Sequence, residues 1–203
     1  IEFLTDKTPF YGETGGQKGD SGQAGNENVR LSLDDTTKPL PGLIVHKAKV
    51  ISGTLHTGES LTLEVNRQTR GNTTLNHSAT HLLQATLKEV LGEHIKQAGS
   101  LVASDRLRFD YTHFSPLTDK ERVRIESRVN EKIRDNIQVD TQEMDVDTAI
   151  KNGAVALFGE KYGDTVRVVD VPGFSKELCG GTHVTATGDI GMFRITSEGG
   201  IAS

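Results

Sequence analysis

Hydrophobic and polar residues alternate in short segments along the first seventy positions of the chain. The alternation is regular at residues 29–33 and again at 61–65, and residues 43–51 between them are rich in β-branched side chains. A period of two is typical of strands that bury one face, and glycines separate these segments. Short strands at close spacing without a helical period predict a small β-barrel, which we place at residues 1–72.

The hydrophobic period becomes helical after this region. Asn76 is suited to cap a helix that runs to Leu91, because apolar residues recur every three or four positions and Gly92 follows. A second helix is predicted to begin at a capping box that opens with Thr118 and to end near Arg134. Its buried face is expected to contain Val123, Val129 and Ile133.

Strand-like segments surround these two helices. They lie at residues 107–111, 137–143, 165–171 and 192–197. Strands mixed with two long helices predict a sheet with both helices packed against it. The expected fold class is therefore α+β, with the N-terminal small β-barrel followed by a second domain over residues 73–203.

Composition excludes membrane and secreted classes of protein. The chain has 203 residues, of which 34% are hydrophobic, and no apolar run approaches the roughly 20 residues that span a bilayer. Its first residues are charged from Glu2 onward and lack the apolar core of a signal peptide. We expect a cytoplasmic protein without a membrane segment, and the missing initiator Met suggests a fragment excised from a longer chain.

The net charge limits how the chain can bind nucleic acid. It is −5, from 23 basic and 28 acidic residues, so the whole molecule does not attract a phosphate backbone. Any contact with nucleic acid is therefore expected through a local patch.

Histidine and cysteine residues provide the strongest chemical signal. His77 and His81 are four residues apart on the predicted helix, so both imidazoles project from one face. Cys179, the single cysteine, precedes His183 by four residues in a glycine-rich turn. Either pair alone is more often incidental, but one thiolate with three imidazoles suits zinc, whereas magnesium and calcium prefer oxygen ligands. We predict a Zn²⁺ site with these four ligands.

Two other chemistries are excluded by motif. A metalloprotease requires Glu directly after the first histidine of such a pair, and this position is Ser78. Neither a phosphate-binding loop nor a dinucleotide fingerprint is present, so the sequence predicts no nucleotide-binding site of these two types.

Several motifs together resemble the editing region of bacterial alanyl-tRNA synthetases. They are NHSATH at 76–81, CGGTH at 179–183, TGDIG at 187–191, PFYGETGGQ at 9–17, GAVALFGEKY at 153–162 and FRI at 193–195. The resemblance covers nearly the whole chain. Free-standing trans-editing proteins and the editing domain of threonyl-tRNA synthetases share the zinc motif, but the early glycine-rich segment argues against the threonyl type.

The resemblance implies a zinc-dependent deacylase that hydrolyses tRNA(Ala) mischarged with serine or glycine and spares the correctly charged tRNA. The expected partners are that tRNA and the remaining domains of a parent synthetase. Gln97 and Cys179 are the implied catalytic residues. Residues Gly15, Gly16 and Gln17 form either a turn of the barrel or a place where the backbone approaches tRNA.

The sequence leaves the role of zinc and the type of protein open. Zinc either keeps an exchangeable ligand and activates water, or is saturated by four ligands and orients the tRNA 3′ end. Two alternatives to a synthetase region are a free-standing trans-editing deacylase and a non-catalytic, zinc-stabilised tRNA-binding module.

Overall fold

The computed structural model describes residues 1–156 and 163–200, so the last six positions of the motif at 153–162 lie outside the described residues. The strands are β1 (Glu2–Phe3), β2 (Gly22–Gly25), β3 (Val29–Leu40), β4 (Leu43–Gly53), β5 (Thr62–Val65), β6 (Gln97–Val102), β7 (Leu107–Tyr111), β8 (Asp140–Asp145), β9 (Thr165–Val171) and β10 (Ser175–Leu178). The helices are α1 (Arg67–Leu91), α2 (Asp119–Arg134), α3 (Val146–Lys151) and a 3₁₀ helix (Thr187–Ile190). This mixture of antiparallel sheets and helices is compatible with the α+β class.

The first five strands form one antiparallel sheet in the order β1-β4-β3-β2-β5. Residues of β3 alternate between buried and exposed, and its buried members Val29, Leu31 and Leu33 form a small core with Phe10 and Ala24. The alternation seen in the sequence is therefore that of a sheet with one buried face. Closure of this sheet into a barrel stays a prediction, since β1 and β5 are its two edges.

Helix α1 begins ten residues earlier than the sequence pattern predicts. The N-cap is Asn66, whose side chain accepts a hydrogen bond from the Thr69 N–H at 3.0 Å. The predicted cap, Asn76, lies inside the helix, where its side chain donates to the Ala103 carbonyl at 2.8 Å. The early turns carry mostly polar residues, so the apolar period starts late. The predicted end at Leu91 is confirmed, and the predicted domain limit at residue 72 falls within the helix.

Helix α2 has the predicted capping box. Thr118 accepts from the Glu121 N–H at 3.2 Å, and the Glu121 carboxylate accepts from the Thr118 N–H at 2.8 Å. Its buried residues are Ile125, Val129 and Ile133. The prediction that Val123 is buried is wrong, because Val123 is two residues from Ile125, on the opposite side of the helix, and is 56% exposed.

Strands β8, β9 and β10 form a second antiparallel sheet, in the order β10-β9-β8. The strand predicted at residues 137–143 is observed as β8, displaced toward its C-terminal end. The segment at 192–197 is not a strand. Side chains of α2 satisfy its backbone instead, because Asn130 pairs with both the N–H and the carbonyl of Phe193, and Glu126 accepts from the Ile195 N–H.

The largest core lies where α1 packs on α2. Both helices contribute residues, and so do β9 and the segments that follow α1 and the 3₁₀ helix. Its buried members are Ala79, Leu82, Leu83, Leu87, Ile95, Ile125, Val129, Ile133, Val171 and Phe193. Within the described ranges, no helix is long and apolar enough to cross a membrane.

A buried ion pair joins the segment before β2 to α1. Asp20 is 4% exposed and accepts two hydrogen bonds from the Arg70 Nε, at 2.8 and 2.9 Å, and another from the Arg70 Nη2. Arg70 also donates to the Pro9 carbonyl at 2.8 Å. These contacts hold residues 9–20 against the first turn of α1.

Replacing Asn66 by alanine is expected to lower the free energy of unfolding by about 1 kcal/mol, because the Thr69 N–H loses its acceptor. Asn72→Ala, at an exposed position inside the same helix, is the matched control and is expected to cause no loss. Urea unfolding followed by circular dichroism measures both. Equal stability of the Asn66→Ala and wild-type proteins would contradict the observed helix start.

Candidate metal centre

The four predicted ligand residues meet in one buried cluster. Helix α1 presents His77 and His81 on the same face, with their rings stacked at a centroid distance of 5.2 Å. The turn after β10 brings Cys179 and His183 to the same place, and the four ligand atoms all lie within 4.8 Å of one another. The Cys179 Sγ is 3.4 Å from the His77 Nε2 and 3.3 Å from the His183 Nε2.

Each imidazole has a polar partner on the side away from the sulfur. The His77 Nδ1 lies 2.6 Å from the Gln17 Oε1, and the His81 Nδ1 lies 2.7 Å from the Glu177 Oε2. The His183 Nδ1 is 3.2 Å from the hydroxyl of Ser78, which also accepts from the Val184 N–H at 3.0 Å. Such partners orient imidazoles that bind metal ions.

One observation besides the residue types in the cluster indicates that it fits a metal ion. Glu177 is an acceptor, so the His81 Nδ1–H donates to it and the Nε2 faces the cluster. This buried Nε2 has no hydrogen-bond partner among the described residues. A buried nitrogen without a partner is costly unless another group satisfies it. A metal ion bound to Nε2 removes that cost.

The electrostatics of the cluster favour a thiolate. Burial alone raises the pKa of Cys179, but the neighbouring rings of His183 and His77 bring it well below its ordinary value. Burial also lowers the pKa of His183, to about 3, so this imidazole is neutral. Burial disfavours the cation of His81 as well, yet Glu177 and the Cys179 sulfur raise its pKa to about 10. These shifts favour the thiolate form of Cys179 and the protonated form of His81 when no metal is bound.

The turn at 179–183 depends on one glycine for close packing. A Cβ atom on Gly181 would lie 2.1 Å from the Cε1 of His77, whereas one on Gly180 would meet no atom within 4 Å. The Arg167 guanidinium donates to the Gly181 carbonyl, and the Cys179 N–H donates to the Arg167 carbonyl at 2.9 Å. Strand β9 thus holds both ends of the Cys-Gly-Gly segment.

The other predicted site residues lie outside the four-residue cluster, and both Gln97 and Gly16 lie beside Ser100. Gln97 is the first residue of β6, and its amide donates to the Ser100 hydroxyl at 3.3 Å. Gly15 and Gly16 form a turn in which both have positive φ, 57° and 81°. Gln17 has 0% of its surface exposed. Its contact with tRNA stays a prediction.

Sequence reasoning missed the supporting partners of the imidazoles. In the sequence, Ser78 only excludes a protease, and Gln17 is only part of a glycine-rich loop. Glu177, two residues before Cys179, received no role. The sequence shows Glu177 only as an acidic residue in a strand that leads directly into the cysteine. Its partner His81 is 96 positions away.

Comparison with known proteins places the chain beside aminoacyl-tRNA synthetases. Residues 166–203 match the family described as threonyl and alanyl tRNA synthetase second additional domain, and residues 2–69 match class II (A) tRNA synthetases. An alanine–tRNA ligase of Desulfosudis oleivorans is 53% identical over 203 residues, and one of Xanthomonas axonopodis pv. citri is 54% identical. Each match covers 100% of this chain and 23% of the relative.

Gly181→Ala is expected to abolish tight metal binding, because the added methyl group displaces the ring of His77. Gly180→Ala is the matched control and is expected to bind the metal as the wild type does, since its methyl group meets open space. Metal content after dialysis, measured by atomic absorption, compares the two. Full metal content in Gly181→Ala would contradict the observed packing.

Metal affinity is expected to rise about tenfold for each pH unit between pH 7 and 9, because the ion must displace the proton of His81, whose pKa is about 10. Competition with a chromophoric chelator for Zn²⁺ measures this slope. Glu177→Gln removes the charge that raises the pKa of His81, so the slope should flatten in this variant. A wild-type affinity independent of pH over this range would contradict a protonated His81.

Proposed function

We propose that the chain, which is 53% and 54% identical over its whole length to two alanine–tRNA ligases, forms the editing centre of such an enzyme. The reaction is hydrolysis of the ester that joins serine or glycine to tRNA(Ala). The convergence of His77, His81, Cys179 and His183 in one buried cluster carries this proposal. A hydrolytic editing site is needed because binding alone discriminates poorly between small amino acids.

The proposed cofactor is Zn²⁺, held by these four residues. A thiolate with three imidazoles is a donor set that zinc accepts and that magnesium and calcium do not. When bound, zinc supplies a Lewis acid that polarises an oxygen of water or of the ester. The His81 Nε2, which has no partner within residues 1–156 and 163–200, and the lowered pKa of Cys179 support this assignment.

The chain's own residues would orient and select the substrate. Glu177 and Ser78 keep two imidazoles turned toward the sulfur. Gln97, with an amide that is half-buried beside Ser100, offers donors and an acceptor to the hydroxyl of a serine substrate. In this proposal Gln97 is catalytic because it contacts the substrate, and Cys179 is catalytic because it holds the metal.

The turn at Gly15 and Gly16 is the proposed place where the backbone approaches tRNA. Gly15 is exposed, so its backbone is accessible to a nucleic acid. With a net charge of −5, the chain supplies few phosphate contacts of its own. We therefore propose that other domains of a parent synthetase bind most of the tRNA. The proposed location of the protein is the cytoplasm.

The proposal predicts that single-turnover hydrolysis of Ser-tRNA(Ala) is fast at high enzyme excess, while Ala-tRNA(Ala) stays intact. Cys179→Ala should slow hydrolysis by at least about 100-fold, because loss of a ligand exceeds the effect of losing an outer partner. His56→Ala, which removes an exposed histidine away from the cluster, should keep full activity. Zinc content is measured for all three proteins.

Two outcomes would contradict the proposal. Full activity of Cys179→Ala would remove the thiolate from the reaction. Zinc-loaded wild type that binds tRNA without hydrolysing it would favour a non-catalytic, zinc-stabilised binding module.

A further inference from the structure

We infer that Gln17 is a positioning residue of the metal centre, which fixes the orientation and tautomer of His77. The inference rests on the metal site of the proposed function but not on its deacylase activity. It means that the segment before β2 completes a centre whose ligands come from α1 and the turn after β10.

The backbone on both sides of Gln17 is fixed by one residue of β6. The Val102 N–H donates to the Gly16 carbonyl at 2.8 Å, and the Lys18 N–H donates to the Val102 carbonyl at 2.9 Å. A Cβ atom on Gly16 would lie 2.8 Å from the Ser100 carbonyl oxygen, so only glycine permits this approach. The pairing directs the side chain of Gln17 into the interior, where none of its surface is exposed.

The orientation of the Gln17 amide follows from a donor that cannot be reversed. The backbone N–H of Thr182 lies 2.9 Å from the amide atom assigned as Oε1. An N–H group only donates, so this atom is the carbonyl oxygen. The same oxygen is 2.6 Å from the His77 Nδ1. The His77 Nδ1 therefore carries a proton and donates it to Gln17.

This tautomer leaves the other nitrogen of His77 for a metal ion. With the proton on Nδ1, the neutral ring has its lone pair on Nε2, which faces the Cys179 Sγ at 3.4 Å. Gln17 thus does for His77 what Glu177 does for His81. The difference is charge, since Gln17 orients its imidazole without adding a second buried carboxylate to the cluster.

One oxygen of Gln17 also joins three parts of the chain. It accepts from the N–H of Thr182 in the metal-binding turn, and the Thr182 hydroxyl lies 3.3 Å from it. The Thr74 hydroxyl of α1 donates to the Thr182 hydroxyl at 2.9 Å. Loss of this oxygen therefore affects both the ring of His77 and the turn that supplies Cys179 and His183.

The test compares two replacements of Gln17 in the full chain loaded with Co²⁺, a coloured probe for such sites. Gln17→Met keeps the length of the side chain but lacks the acceptor, and Gln17→Glu keeps an acceptor oxygen. Gln17→Met should lower metal affinity about 10- to 100-fold and change the visible absorption spectrum of the cobalt site. Gln17→Glu should restore both toward the wild type.

Thr86→Val is the matched control. Thr86 is also 0% exposed, its hydroxyl has no partner among the described residues, and it lies on the same helix as His77. Its replacement should leave cobalt affinity and spectrum unchanged. A folded Gln17→Met protein with wild-type affinity and spectrum would overturn the inference.

A second measurement decides the matter if Gln17→Met does not fold. The ¹⁵N chemical shifts of His77 in the wild-type zinc form report which nitrogen carries the proton. Protonated Nδ1 and metal-bound Nε2 are expected, and the reverse would overturn the inference. Neither experiment uses tRNA, so failure of the deacylase proposal is recognised separately.

Discussion

The buried hydrogen bonds behind the three imidazoles are the interaction on which the centre depends. Each holds one Nδ1 atom, through Gln17, Glu177 or Ser78, and so turns the opposite edge of the ring toward Cys179. The four ligand atoms can lie this close together only if each ring is held in one orientation. Otherwise the thiolate, the lone pairs and the protons would compete for the same small space. A bound cation would take the place of the His81 proton.

The rest of the fold brings these groups together from distant parts of the sequence. Helix α1 supplies His77 and His81 with helical spacing, and β9 pairs with β10 to position the cysteine turn. Strand β6 holds the segment that contains Gln17, and the ion pair of Asp20 with Arg70 fixes that segment to the start of α1. Helix α1 therefore contacts both predicted domains, and the predicted limit between them at residue 72 falls within this helix.

The sequence was informative where a signal is local and incomplete where it is not. The capping box at Thr118 and the spacing of His77 and His81 are set within one or two helical turns, and both are observed. The polar first turns of α1 carry no apolar period, so the sequence pattern predicts the start of this helix too late. Phe193 lies in an alternating segment, yet side chains of α2 satisfy its backbone, and no pattern within the segment shows this. Gln17 and Glu177 act on histidines 60 and 96 positions away, which no spacing rule connects.

X-ray absorption spectroscopy of the zinc-loaded chain tests the central claim most directly. We predict one sulfur ligand at about 2.3 Å and three nitrogen ligands at about 2.0–2.1 Å. A shell of oxygen atoms without sulfur would contradict a centre built from Cys179, His77, His81 and His183.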